Sequence, residues 1–539
     1  MSKFNSTATR SANTAVGPIK TKAGGKLIKT HEGADGARRD TRSELFLLAV
    51  SNMVGEPTFY EAAGDRDDRY RTLIRKMAVK DGEWTAALLG WLRGPEANMR
   101  SASIVGAAEY VKGRLDAGIS GGNRDAIRAV LQRADEPGEM LAYWTANYGR
   151  RLPQPVKRGV ADAVTRLYTE RSLLKYDTAS HGWRFADVID LVHPTAKDDR
   201  QGDLFEHALD RRHNRDNEIP ASLLMVRDNA ALRAMGPNRA EEFLFGTHDL
   251  HDNAADALNA AGMTWESVPS LLGGAWTAKR WEAIIPSMGY MALLRNLRNL
   301  DQAGVSDAVA QQVMAKLTDP SEVAKSRQFP FRFLSAYEAA PSLRWGHSLD
   351  KALGHALRNI PKLPGRTLIL IDTSGSMTGT CYSARSKVTP LKAAAVFGVA
   401  LGAANPVGSD IYGFASGEFK HDVPAGASAI AEIQRFVGRA GEVGHGTDIA
   451  GAVRRQYKGH DRVFIISDMQ TQSGGITAQI PKDVPVYGFN LGGYRPGAYA
   501  LGPNRHEFGS LTDSTFKLVP LLEAGHSGAW PWLIGDQPA

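Results

Sequence analysis

Asp372, Ser374 and Ser376 stand two residues apart in the stretch LILIDTSGSM, residues 368–377. A carboxylate and two hydroxyls at that spacing offer three hard oxygen donors at the end of an apolar run. Two further donors follow downstream. Thr447 sits in GHGTDIA, where Gly444 and Gly446 permit a tight turn before a helix begins, and Asp468 ends RVFIISD much as Asp372 ends LILID. Two carboxylates and three hydroxyls carry little net charge. They suit Mg2+, which wants octahedral oxygen and keeps some of its water; Mn2+ or Ca2+ is a less apt occupant. Asp-Thr-Ser alone could be a turn or a helix cap, and Thr447 alone an N-cap. The argument for a cation is that three loops of matching chemistry recur in order, the first and last closing strand-like runs.

Bringing those loops together needs a particular scaffold. RTLILIDTS, SDIYGFA, RVFIISD and PVYGFNL read as short apolar strands, with helical stretches VTPLKAAAVFGVALGAA, SAIAEIQRFVGRA and TDIAGAVRRQY among them. Such alternation predicts a Rossmann-like parallel sheet covered on both faces. Sheets of this kind gather ligands at the carboxyl ends of their strands. Residues 363–539 therefore read as an α/β domain, with Pro361, Pro364 and Gly365 near its boundary. Residues 31–362 read as mainly helical. SELFLLAVSNMV, TLIRKMAVKDGEWTAALLGWL, SASIVGAAEYVKGRL and DAIRAVLQRA carry apolar residues at i, i+3 and i+4. Successive helical hairpins without a strict sequence period suggest an array of helical repeats, the other solution being a compact irregular helical domain. Residues 1–30, rich in Ser, Thr, Gly and Lys, lack apolar periodicity and read as flexible or ordered only against a partner.

The totals narrow the function. A chain of 539 residues, 43% hydrophobic and 23% charged, has room for two or more cored domains. The one cysteine, Cys381, excludes an intramolecular disulfide framework and a multi-cysteine zinc cage, and fits a reducing cytoplasm. The N-terminus has no apolar core of the secretory kind, and no stretch approaches the roughly 18 apolar residues of a membrane span, so a cytoplasmic chain is expected. Net charge is +7, which permits nucleic acid without requiring it. The excess is local: residues 1–30 hold six basic and no acidic residues, and residues 150–176 hold seven basic and two acidic.

Catalytic patterns are missing. The sequence has no GxxxxGK phosphate loop, no HExxH and no GxSxG elbow. His248 and His251 in GTHDLHD have i, i+3 spacing but no evident supporting ligand. A low-charge cation site without a general base favours recognition over chemistry, so no enzyme activity is expected.

DTSGSM, GTD and the SD after an apolar strand resemble the metal-ion-dependent adhesion site of von Willebrand factor A domains. All five ligand positions are present: Asp372, Ser374, Ser376, Thr447 and Asp468. The resemblance implies an open coordination position on the metal, often taken by a partner's acidic side chain. With its long helical region, the chain further resembles bacterial members of the Ro autoantigen, or TROVE-domain, family. VKRGVADAV (156–164), LLKYDTASHGWRFADVIDLVHP (173–194), MGYMALLRNLRNL (288–300) and RQFPFRFLSAYEA (327–339) carry that likeness, in order along the chain. It implies a ring of HEAT-like repeats closed by the A domain. It implies Y-like noncoding RNA on an outer basic surface, and single-stranded 3′ ends of misfolded or structured RNAs in the hole. For bacterial members it also implies an exoribonuclease partner in RNA quality control. The chain is expected to act as a monomer.

Seven residues are the candidate RNA contacts. Lys157 and Arg158 fall beside the apolar stripe Val156, Val160, Val164 and Leu167, where cations would neutralise phosphates with little sequence information. Lys175, Arg184 and His193 come from the segment most like the family's Y-RNA surface. There the chain departs from the pattern: Thr178–His181 stand where the family has a second basic residue, leaving that contact missing or replaced by His181 or Arg184. Arg295 and Arg298, at i, i+3, could line the hole or pair with local carboxylates. Two other readings remain open: an Mg2+-dependent protein–protein adhesion scaffold without RNA, and a metal-dependent enzyme subunit of the kind that needs an ATPase partner.

Overall fold

The computed structural model describes residues 15–533 except 23, 25, 52, 179–181, 247–253 and 385. His181, His248 and His251 lie outside the described residues.

Helices follow one another closely from Thr41–Ser51 to Leu343–Ala356. Short polar side chains set their ends. Asp81 closes Ala63–Lys80 and accepts from Trp84 N to open Gly82–Arg93. Thr169 and Ser172 form a capping box at the start of Glu170–Tyr176, and Asp198, Ser306 and Asp319 cap later helices. Helices close in sequence pack together: Ala63–Lys80 on Arg100–Asp116, Asn123–Val130 on Gln154–Leu167. The second pair crosses tightly at Gly159, where a Cβ would come within 2.7 Å of Ile127 Cβ. Among the described residues no helix is long and apolar enough to cross a membrane.

The α/β domain is a six-stranded sheet. Its strands are β3 Thr367–Asp372, β4 Ser409–Phe414, β5 Glu418–Lys420, β6 Arg462–Ser467, β7 Val486–Asn490 and β9 Arg505–Phe508, in the order β5-β4-β3-β6-β7-β9. All neighbours are parallel except the edge strand β5. Every residue of β3, β6 and β7 is buried, as expected for a sheet covered on both faces. The apolar runs mark β3, β4, β6 and β7. The short β5 and the polar β9, RHEF, give no such signal.

Both ends of the helical half dock on this domain. Near its start, Arg66 and Arg69 donate to the carbonyls of Gly492 and Gly493 at 3.1 and 3.2 Å. Near its end, Asp350 accepts from Ser428 Oγ and Ile430 N, and Asp513 accepts from both the backbone and side chain of Asn359. Asn98 also donates to the Arg327 carbonyl at 2.7 Å, tying an early helix end to a late one. The helical array is thereby closed by the α/β domain into a ring.

Two terminal segments lock the seam. Trp530 and Trp532, stacked on each other, pack tilted or edge-on against Phe46, Trp84 and Trp91 of the first helices. The described part of the N-terminal segment is ordered on the chain itself, where flexibility or a separate partner was expected. Ala15 and Ile19 are buried. Strands β1 Ile28–Lys29, β2 Asp35–Arg38 and β8 Pro496–Gly497 form a small antiparallel sheet. Next to it, buried Arg39 donates to Glu507 at 2.7 Å and to the Tyr494 carbonyl at 2.7 Å.

Candidate metal site and basic face

Parallel register brings the candidate metal ligands to one edge of the sheet. Ile371 pairs with Ile466, so Asp372 and Asp468 leave their neighbouring strands at the same end. Asp372, Ser374, Ser376, Thr447 and Asp468 are all buried. The Ser374 N–H donates to Asp372 Oδ1 at 2.9 Å, and the Ser467 hydroxyl donates to Oδ2 at 2.6 Å. The Ser374 and Ser376 hydroxyls lie 3.3 Å apart. Met469 takes a left-handed conformation, φ 61°, directly after Asp468; a non-glycine residue held there signals backbone constrained by its surroundings. Gly444, at φ 89°, supplies the turn before Thr447, whereas Gly446 needs no positive φ. Asp448, not Thr447, caps the helix Ile449–Gln456 by accepting from Gly451 N at 2.9 Å. That relieves Thr447 of the capping role.

Charge at this edge is unbalanced. Burial pushes the proton affinities of both Asp372 and Asp468 above the ordinary carboxylate range, and for Asp468 the nearby Asp372 pushes further in the same direction. Asp468 Oδ2 is buried and makes no hydrogen bond of good geometry. Among the described residues no three His, Cys, Asp or Glu side chains are grouped to hold a metal ion, so any cation here depends on the hydroxyls. An orphaned carboxylate oxygen, a facing carboxylate and three hydroxyls fit a hard divalent ion of the Mg2+ type.

Other elements cover the site. A small, partly open cavity of about 30 Å³ beside Ser376 and Asp468, room for one or two waters, is also lined by Thr58, Arg66, Tyr382 and Tyr494. Above it His31 stacks on Tyr60 with ring centroids 4.9 Å apart, and Tyr494 meets both rings edge-on. Tyr60 donates to Glu32. Glu32, Tyr60 and Tyr494 were not found by motif reading. They carry no spacing signal, because Glu32 and Tyr60 lie more than 300 residues from the strands they cover.

The candidate RNA residues divide into three groups. Lys157, Arg158 and His193 line one open depression on the helical half, together with Arg124, Arg128 and Arg166. Lys157 and Arg158 lie on Gln154–Leu167, whose buried face is Val156, Val160 and Val164; their charged ends have no ion-pair partner among the described residues. His193 is the exposed left-handed C-cap of Phe185–Val192. The other cations there are partly committed: Arg124 forms a two-pronged pair with Asp162 at 2.6 and 2.7 Å, and Arg166 donates to the Leu131 carbonyl.

Lys175 and Arg184 stand outside that depression. Lys175 is exposed and lies over the ring of Tyr176. Arg184 is bound to buried Asp177 at 2.6 and 3.2 Å, and the same carboxylate accepts from Phe185 N. Its guanidinium organises a helix start and is not a free cation. Arg295 and Arg298 are exposed on Tyr290–Ala303, and neither has an ion-pair partner among the described residues. Arg332, which sequence reading did not single out, is close enough to Arg295 that burial and this like charge lower its proton affinity. A concentration of unneutralised positive charge results.

Comparison with known proteins adds four findings. Residues 258–361 match the TROVE domain. The chain is 27% identical over 366 residues to the RNA-binding protein RO60 of Deinococcus radiodurans, an alignment covering 63% of this chain and 64% of that protein, just under two thirds of its length. An 82-residue stretch is 42% identical to telomerase protein component 1 of Mus musculus, covering 15% of this chain and 3% of that much longer protein. Among solved structures, the crystal structure of the Deinococcus radiodurans Ro (Rsr) protein superimposes with a TM-score of 0.58 at 18% identity, covering 90% of this chain and all of that one. The helical half and the A-like domain thus share that protein's fold.

Proposed function

We propose that this chain, a Ro-like protein with a TROVE domain at residues 258–361, is an RNA-binding scaffold without catalytic activity of its own. The observation that carries this is the depression where Lys157 and Arg158 present unpaired charge beside His193 on a rigid helix pair. Fixed, unneutralised cations release counterions from a phosphate backbone at little ordering cost. The partners we propose are Y-like noncoding RNAs on this face and single-stranded 3′ ends of misfolded or structured RNAs in the hole. Arg295, Arg298 and Arg332 are suited to the latter. An exoribonuclease would supply the chemistry in a cytoplasmic quality-control complex. The A-like domain would hold Mg2+ at Asp372, Ser374, Ser376, Thr447 and Asp468 for recognition.

The test is binding of a structured RNA with a single-stranded 3′ tail, followed by fluorescence anisotropy across a salt series. Affinity should fall steeply with salt. Lys157→Ala with Arg158→Ala and Lys175→Ala should weaken binding by about tenfold or more and flatten the salt slope. No binding at low salt, or an unchanged affinity in the triple variant, sinks the RNA reading. Multiple turnover of the RNA by purified protein, lost in Asp372→Ala, would replace it with an enzymatic one.

A further inference from the structure

A second depression lies across a wall from the basic one, among the helices Glu170–Tyr176, Asp199–His213 and Leu224–Ala234. The wall is held by a few bonds. Gln201 Nε2 donates to the carbonyls of Thr165 and Tyr168 at 2.9 and 3.1 Å, Lys197 N donates to Gln201 Oε1 at 3.0 Å, and the Thr165 hydroxyl donates to the Thr195 carbonyl at 3.0 Å. Thr165 and Thr195 line the basic depression, Lys197 and Gln201 the second one. A polymer lying against Lys157, Arg158 and His193 meets the second depression just past Thr195, at Lys197.

The two depressions differ in chemistry. The second has a volume of about 300 Å³, at the small end of the range for organic ligands. Its floor is apolar, built from buried Tyr168, Leu204 and Leu223 with half-buried Met225. Exposed Arg171, Lys197 and Arg200 stand around it, and Lys197 has no ion-pair partner among the described residues. Two carboxylates line it as well. Buried Glu170 accepts from Val226 N at 3.0 Å through Oε2 and from Arg200 Nε at 3.1 Å through Oε1. A carboxylate offers about four lone-pair positions, so one stays open on Oε2. Asp198 uses Oδ1 to cap its helix, accepting from Gln201 N at 2.8 Å, and its Oδ2 accepts from no group among the described residues. An apolar floor, acceptors at the side and cations at the rim correspond to the face, the edge and the phosphate of a nucleotide.

We propose that this depression is a base pocket, taking one unstacked nucleobase with an exocyclic amino group from RNA that lies on the neighbouring basic face. Glu170 and Asp198 supply the acceptors for the amino group, Leu204, Leu223 and Met225 carry the ring, and Lys197 meets the adjoining phosphate. The proposal rests on the RNA reading given above. It adds a point of base discrimination, which the phosphate contacts of the basic face do not provide.

The experiment uses the full chain and two single strands of equal length, one of adenosine and one of purine riboside, which lacks only the amino group. Fluorescence anisotropy at one low salt concentration reads both. The wild type should bind the adenosine strand about tenfold more tightly. Met225→Trp, which fills the pocket, should close that gap. Asp198→Asn keeps a carbonyl oxygen for the helix cap and turns the second acceptor into an amide; it should narrow the gap severalfold, and it decides the matter if the tryptophan variant does not melt cooperatively. Equal affinity of the wild type for the two strands, or a gap undiminished in either cooperatively melting variant, overturns the pocket and leaves the basic face standing. No binding of either strand at low salt removes the RNA reading and this proposal together.

Discussion

In the crevice of the α/β domain every candidate ligand is buried and both carboxylates are braced by hydrogen bonds, whereas the cations of the basic face stand in water on rigid helices. Asp372 is fixed by Ser374 and Ser467 before any ligand arrives; Lys157 and Arg158 are fixed only through the helix that bears them. The difference suits two kinds of ligand. A small hard ion needs donors preset to a fraction of an ångström, while a phosphate backbone needs charge density and tolerates movement of the side chains. Damage to the first region should therefore be all-or-none, and damage to the second graded.

The largest expected effect is on the crevice. Asp372→Ala should abolish Mg2+ binding measured by calorimetry while leaving RNA affinity within about twofold at a given salt, since the helical cations supply that affinity. If RNA binding collapses as well in a variant that still melts cooperatively, the two regions are not separable in the way described.

Arg184 sharpens the comparison from the helical side. It resembles the exposed cations in sequence but belongs with the braced groups in structure. Arg184→Ala leaves buried Asp177 without its main counter-charge and should cost about 3 kcal/mol of stability by thermal melting. Lys157→Ala should leave the melting temperature in place. Equal melting of the two variants would contradict this division.

A smaller effect separates the two basic groups. Arg295→Ala with Arg298→Ala should weaken binding of a tailed RNA by about tenfold and a blunt-ended one much less, whereas Lys157→Ala with Arg158→Ala should weaken both alike. Anisotropy with the two RNAs distinguishes these outcomes, and identical losses in all four combinations would merge the two surfaces.

The smallest effect concerns acid. His506 on β9 is 1% exposed, neither ring nitrogen has a hydrogen-bond partner, and burial, reinforced by Arg505, holds its pKa down to about 4. Below the ordinary histidine value the unfolded chain takes up the proton first. The stability contributed by neutral His506 is therefore complete above pH about 6.5 and is lost as pH falls toward 4, by about 1–3 kcal/mol. His506→Phe should flatten that part of the melting curve against pH; an unchanged slope rules out His506 as its source.

What could be read in the sequence follows the same contrast. The strand-end carboxylates and the serines were legible because parallel register converts a repeated sequence position into a shared place, and the runs LILID and FIISD announce both strands. Glu32 and Tyr60 were invisible because their role depends on a seam joining residues far apart in the chain. Arg184 was misleading, since its partner Asp177 lies across a loop where helical periodicity predicts nothing. Arg332 was overlooked because its charge matters only beside Arg295, on a different helix.

The aromatic seam has a consequence for how the molecule is made. Phe46, Trp84 and Trp91 belong to the first helices to leave the ribosome, but the rings that cover them, Trp530 and Trp532, emerge roughly 440 residues later. At about 5–20 residues per second those early aromatics stay uncovered for tens of seconds. For that interval the nascent ring is an open arc with a sticky end, and it is then that a chaperone or a threaded RNA could enter without anything having to be pried apart.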